Sequence, residues 1–190
     1  MLAAGWWRWW AAIPFAVWAA FVAWFFRDPE RRPPEGDGLL VAPADGKILR
    51  ADDERITIFM NVFNVHVCRA PDEAAVRRVV HREGRFLAAF KEEALTQNER
   101  VEIDLAGPAG VYRAVLVAGL IARRIVPWIR EGADLARGER LGLIRFGSRV
   151  DLYLPPTARP DVTIGDRVVA GETVVARIDR TAATAAEASP

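Results

Sequence analysis

Apolar positions along this chain follow two regimes. Residues 6–26 form a nearly unbroken apolar run, interrupted by Arg8 and Pro14, that holds six of the seven Trp. As a helix the run reaches about 31 Å, close to a hydrocarbon core of about 30 Å, but Pro14 removes a helical hydrogen bond and the stretch beyond it covers only about 20 Å. It therefore predicts an N-terminal hydrophobic membrane helix, with spanning, re-entrant and interfacial forms all open and indoles suited to the headgroup layer. No small-x-small cleavage site follows. The chain continues as Arg27-Asp28-Pro29-Glu30-Arg31-Arg32-Pro33-Pro34, so the segment is expected to stay attached. Three Arg on this side, against Arg8 and the amino terminus on the other, favour the cytoplasmic face of a cell membrane for the main domain, peripheral or N-terminally anchored. A lone reduced Cys68 fits that side.

Beyond this linker the period changes to two. Short β-branched runs between Gly, Asp and Pro predict strands at 56–60, 65–69, 101–105, 111–117, 150–154 and 173–178. Val101-Glu102-Ile103-Asp104-Leu105 alternates strictly, and Gly107-Pro108-Ala109-Gly110 turns it into the next run, which predicts a hairpin. A helix is expected over 87–95. A repeat organises the second half: Ile129-x-x-Gly132-x-x-Leu135-x-x-Gly138-Glu139-x-Leu141 returns as Val162-x-x-Gly165-x-x-Val168-x-x-Gly171-Glu172-x-Val174. Gly at matching places marks sharp bends, so two similar β units are expected to face each other. Such a pair resembles the barrel-sandwich (lipoyl/biotinyl-like) domain; ankyrin-type stacking would need helical periodicity and more copies. The expected fold is mainly β, with a membrane segment 1–26, a linker 27–40, a β domain 41–180 and a flexible tail 181–190.

Length and charge narrow the function. The 190 residues allow one folded domain plus an appendage. With 26 basic against 25 acidic side chains the chain lacks the electrostatic footprint for nucleic acid. One Cys excludes an internal disulfide, and two His with one Cys cannot fill a four-ligand zinc site of the usual kind. Three polar segments remain: Pro43-Ala44-Asp45-Gly46-Lys47, ordinary turn chemistry by itself; Asn64-Val65-His66-Val67-Cys68-Arg69-Ala70-Pro71, with a His in an apolar strand; and Phe146-Gly147-Ser148-Arg149-Val150-Asp151, a Gly-Ser step between strand-like runs.

In order along the chain, these segments resemble the phosphatidylserine decarboxylase family in its short prokaryotic form. The likeness also takes in Phe25-Phe26-Arg27-Asp28-Pro29-Glu30-Arg31, His81-Arg82-Glu83-Gly84-Arg85-Phe86 and Asn98-Glu99-Arg100, and covers about residues 25–178. It implies a proenzyme that cuts itself between Gly147 and Ser148 into a β chain 1–147 and an α chain 148–190, a heterodimer with or without further assembly. Ser148 would become an amino-terminal pyruvoyl group. Attack of its hydroxyl on the Gly147 carbonyl starts an N-to-O acyl shift, for which a residue without Cβ permits the bent backbone. Elimination of the ester and loss of ammonia leave a keto amide. Its carbonyl would bind the amine of phosphatidylserine as a Schiff base and accept the electrons left by carbon dioxide, giving phosphatidylethanolamine with neither metal nor pyridoxal phosphate.

The same resemblance assigns roles. His66 is the expected proton donor, since an ordinary pKa of about 6.5 suits transfer near neutrality, and Asp45 would orient or charge-balance a His during self-cleavage. The long form has two His spaced three apart; the first matches His66, while its self-processing His falls on Arg69. Either His66 serves both steps, or His81 takes one, or strain with Asp45 drives processing; the choice falls on His66, with His81 read as a surface residue. The long form also carries Ser or Thr where Arg149 stands. With 24 Arg but only Lys47 and Lys91, the lipid phosphate is expected to meet Arg, the candidates being Arg69, Arg149 and Arg123-Arg124. The rival reading is a membrane-tethered lipoyl/biotinyl-like carrier or adaptor with Lys47 as its arm, although neither half of the repeat presents a Lys. A serine hydrolase would want a G-x-S-x-G elbow, absent here.

Overall fold

The computed structural model describes residues 6–108, 110–120, 124–145 and 148–178; the expected tail 181–190 lies outside them. A single long helix, α1 (Trp6–Phe25), precedes the sheets. It continues through Pro14 instead of stopping there, because losing one main-chain bond does not end a helix whose remaining bonds are intact. Every residue from 9 to 20 is exposed, so the apolar run is an uncovered rod. No helix among the described residues is long and apolar enough to cross a membrane.

The rest is mainly β, as the alternating runs predict. Eight strands form the largest sheet in the spatial order β13 (Arg167–Val168), β2 (Gly46–Ala51), β3 (Arg55–Met60), β11 (Ser148–Tyr153), β7 (Gly110–Val117), β6 (Arg100–Gly107), β5 (Ala74–Arg82) and β9 (Asp134–Leu135). Two three-stranded sheets accompany it: β1 (Leu39–Val41), β14 (Val174–Ile178) and β12 (Ala158–Pro160), with β14 central, and β4 (Val67–Arg69), β10 (Arg140–Ile144) and β8 (Ile125–Pro127), with β10 central. The expected hairpin is β6 with β7, in register from Arg100 opposite Val117 to Gly107 opposite Gly110. Inward side chains such as Ile58, Ile103, Leu116, Val150 and Leu152 are fully buried and join one core.

The repeat has a counterpart in space. Gly132, Gly138, Gly165 and Gly171 all take positive φ, between 75° and 104°, the conformation that favours Gly. The Gly132 and Gly138 amides donate to Val76 and Ala70, and the Gly165 and Gly171 amides to Ile48 and Ala42. Two of those acceptors, Ala42 and Ala70, belong to a second matched pair of segments, Val41-Ala42-Pro43 and Arg69-Ala70-Pro71, which exchange bonds reciprocally: the Val41 amide donates to the Pro71 carbonyl at 2.8 Å and the Arg69 amide to that of Pro43 at 2.9 Å. β9 and β13 accordingly close opposite edges of the large sheet, and the two small sheets correspond strand for strand.

Two local expectations are corrected. The helix over 87–95 is only α2 (Glu93–Gln97). Leu87 is held out of it by the buried Asn98 carboxamide, which accepts from the Leu87 amide and donates to the Leu87 carbonyl, both at 2.8 Å, replacing the bonds a helix would offer. The linker has no regular structure up to residue 35, yet it is stitched to the body: Asp28 pairs with Arg69 and Arg140, Arg31 with Asp45, and the Pro34 and Gly36 carbonyls accept from Arg137.

Candidate active site

Strand β11 lies between β3 and β7 and is almost wholly buried, so its first residue, Ser148, opens inside the protein. Ser148 pairs with Met60 at the end of β3. His66 enters from the neighbouring small sheet: it precedes β4, and its carbonyl accepts from the Ile144 amide at 3.2 Å, at the end of the strand that leads to Ser148. Register thus sets both residues at the same end of their strands. Both are fully buried, and the Ser148 Oγ and His66 Nε2 have no hydrogen-bond partner. Buried polar atoms are nearly always paired, so among the described residues these two orphans, one beginning β11 and one preceding β4, are candidates for chemistry.

His66 is neutral here. Burial pushes its pKa down to about 4, helped by nearby Arg27 and opposed by the Asn64 contact and Asp45. The expected proton donor was argued from the ordinary value of about 6.5, and burial moves His66 below it. Its Nδ1 lies 2.9 Å from the Asn64 carbonyl, which can only accept, so Nδ1 carries the proton and Nε2 keeps its lone pair. Phe25, the last residue of α1, packs its ring 4.4 Å from the imidazole, so the end of the apolar helix forms one wall of the His66 site.

Asp45 does not hydrogen-bond to His66. Its Oδ1 accepts from the Ala170 amide at 2.8 Å, its Oδ2 from the Val65 amide at 3.4 Å, and Arg31 donates to both oxygens at 3.1 Å. It ties the linker, the second repeat and the residue before His66 together, and reaches the imidazole through its charge alone. Arg31, Asn64 and Phe25 are the neighbours that residue-by-residue reasoning missed, although Phe25 to Arg31 lay inside a recognised segment.

Two of the Arg candidates for phosphate are committed internally, while Arg124 is exposed. Arg69 is buried and donates to the Gly138 and Pro29 carbonyls and to Asp28 at 2.7 Å. Arg149 is 1% exposed and grips Asp151 twice, at 2.7 and 2.8 Å, with further bonds to Glu92 and the Lys91 carbonyl. His81 is near the exposed end of β5 and contacts Glu99 at 3.0 Å, consistent with its reading as a surface residue. Gly147, the expected cleavage partner, and Arg123 lie outside the described residues.

Comparison with known proteins points in one direction. The family model described as Phosphatidylserine decarboxylase matches residues 18–55 and 50–176. A phosphatidylserine decarboxylase proenzyme of Nitratidesulfovibrio vulgaris is 47% identical over 180 residues, 89% of this chain and 83% of that one. Proteins of the same description from Syntrophus aciditrophicus and Azorhizobium caulinodans are 45% and 47% identical, over 86% and 88% of this chain and 82% and 77% of their own.

Proposed function

This chain belongs to the phosphatidylserine decarboxylase family, and we propose that it is a self-processing enzyme that decarboxylates phosphatidylserine to phosphatidylethanolamine. The observation that carries the reading is a pair of orphaned buried atoms, Ser148 Oγ at the start of central strand β11 and His66 Nε2 just before β4. In processing, the Nε2 lone pair takes the Ser148 hydroxyl proton as the oxygen attacks the Gly147 carbonyl; the N-to-O shift, elimination and loss of ammonia then separate residues 1–147 from 148–190. The pyruvoyl group so formed supplies a carbonyl that takes up the substrate amine and accepts the electron pair that carbon dioxide leaves behind.

The same His66 serves turnover. The substrate amine arrives as an ammonium and must shed a proton to react; neutral Nε2 receives it and returns it to the α-carbon after carbon dioxide has departed, so no standing acid is needed. Asp45 supports this cycle by favouring the charged imidazole, and enclosure by Phe25 keeps bulk water from competing. The exposed apolar rod of α1 supports peripheral attachment to the cytoplasmic face of a membrane, with its Trp side chains at headgroup level. The reciprocal bonds between matched segments support the barrel-sandwich reading of the β domain.

Intact mass of the purified protein tests the assignment: two chains that split at Ser148, the heavier-numbered one bearing a terminal carbonyl trapped by hydride. An unbroken chain of 21.1 kDa with a modified Lys47 would replace it with the carrier reading. His66→Ala should leave the chain uncut and inactive, and any fraction that matures should decarboxylate at least about a hundredfold more slowly.

A further inference from the structure

A cleft of about 410 Å³ lies beside the candidate site, lined among others by Lys47, Arg167, Asn61, Asn64 and Phe63. Its position follows from register. Asn61 directly succeeds Met60, the residue paired with Ser148, and Asn64 supplies the carbonyl that fixes His66. The loop that forms one wall of the cleft therefore runs from the Ser148 end of β3 to the His66 ring.

The cleft also carries uncommitted charge. Lys47 and Arg167 stand directly opposite each other in the β2–β13 pair. Cross-strand partners point to the same face of a sheet, so two cations share one side of the opening. Among the described residues neither forms an ion pair or a side-chain hydrogen bond, whereas Arg31, Arg69, Arg137 and Arg149 are all paired with carboxylates. The acids nearest in sequence do not neutralise them: Asp45 is held by Arg31 and two main-chain amides, and Asp166 by the Thr163 amide and hydroxyl at 2.7 and 3.0 Å. Two exposed like charges left adjacent repel only weakly through water and salt, and an anion placed between them is favoured by both. The carboxamide oxygens of Asn61 and Asn64 are spent inside their own loop, on the Phe63 and Asn61 amides, which leaves their NH₂ donors free for that anion.

On the apolar side the cleft meets the membrane element. Phe63 is 70% exposed and packs edge-on against Trp24 of α1 at 6.2 Å. The cleft thus gathers an apolar ring that touches α1, two cations without a protein counter-ion, and the loop that runs from the Ser148 end of β3 to His66, the three kinds of group that the acyl chains, phosphate and amino acid of a glycerophospholipid would meet. We propose that Lys47 and Arg167 are the phosphate seat of the substrate, binding the phosphodiester of an anionic serine headgroup; this rests on the decarboxylase reading. The role expected of Arg69 or Arg149 passes to a Lys and an Arg that neither motif nor charge run singled out together.

The test uses the full processed enzyme in mixed micelles and the variants Lys47→Gln, Arg167→Gln and the double variant. Cleavage at Ser148 should proceed as in the wild type, since both side chains are exposed. KM for phosphatidylserine should rise about tenfold for each charge lost while kcat changes little, and Lys47→Arg should restore KM. Glycerophosphoserine should inhibit the wild type competitively and the double variant far more weakly. If inorganic phosphate competes as well as glycerophosphoserine, the seat reads phosphate alone rather than the headgroup. If the wild type cleaves and decarboxylates but the double variant keeps its KM and its inhibition, the phosphate seat is wrong and the enzyme reading stands; if the wild type neither cleaves nor decarboxylates, that reading itself has failed. Should the variants not accumulate, wild-type enzyme decides alone: equal inhibition by glycerophosphoserine and by an uncharged serine ester overturns the seat.

Discussion

Because the His66 ring is enclosed by Phe25 and main chain, protonating it places a charge that burial penalises and that the Asn64 carbonyl and, through space, Asp45 only partly offset. Its pKa of about 4 in the fold lies below the unfolded value near 6.5, so the unfolded chain binds the extra proton first. Stability from this group is complete above pH 6.5 and drains away as the pH falls toward 4, by up to about 3 kcal/mol. Urea unfolding between pH 7.5 and 4 should show that slope, and His66→Gln should flatten it; an equal slope in the variant would place the sensitivity elsewhere. A second residue-scale prediction concerns Arg149. Removing it leaves Asp151, fully buried, with the Thr57 hydroxyl at 2.6 Å and the Arg55 ion pair at 3.7 Å in place of its two strongest bonds, so Arg149→Ala should cost about 3 kcal/mol. Changing both partners, Arg149→Met with Asp151→Leu, should recover most of that loss in the same unfolding measurement. At this scale the sequence singled out Ser148, His66 and Asp45 as candidates and the structure buries all three, but it did not reveal that Arg69 and Arg149 are paired internally: buried ion pairing depends on partners such as Glu92 and Asp28 that no local pattern announces.

Among elements, α1 joins an exposed apolar rod to the candidate site. Nothing covers the helix from residue 9 to 20, whereas Phe25 at its end is fully buried against His66. Phe25→Ala should therefore do two things at once: destabilise the fold by about 3–5 kcal/mol through the cavity, and admit water to the imidazole so that its pKa climbs from about 4 toward its ordinary value. The His66 ring resonances followed by NMR against pH report the second effect separately. Strands with clean alternation were legible, β6 and β7 above all. β5 was not, because Ala74-Ala75 and Arg77-Arg78 blur the period and a register shift between Val76 and Arg78 resets it. The second matched pair of segments also escaped notice, since it shares little beyond Ala-Pro and shows its kinship only in the reciprocal bonds of Val41 with Pro71 and Arg69 with Pro43.

For the whole molecule, the proposed cut falls where the chains are least able to part. Residues after 147 supply β11, which sits between β3 and β7, β13, which closes the edge beside β2, and β14, which pairs with β1. Each of those partners lies before the cut, so processing leaves two chains woven through the same sheets. Yet the cut changes the order of the unfolding reaction. An intact chain unfolds to one molecule; a processed pair unfolds to two, and its folded state is favoured by concentration. Ser148→Ala provides the uncut comparison at little structural cost, because the Ser148 Oγ makes no hydrogen bond to lose. The urea midpoint of the processed protein should rise as its concentration is raised a hundredfold, gaining about 2.7 kcal/mol from mass action, while that of Ser148→Ala stays fixed. Refolding after dilution should likewise be slower for the pair, since β11 must be recaptured from solution instead of from its own chain. Midpoints independent of concentration in both proteins would mean that residues 147 and 148 remain joined.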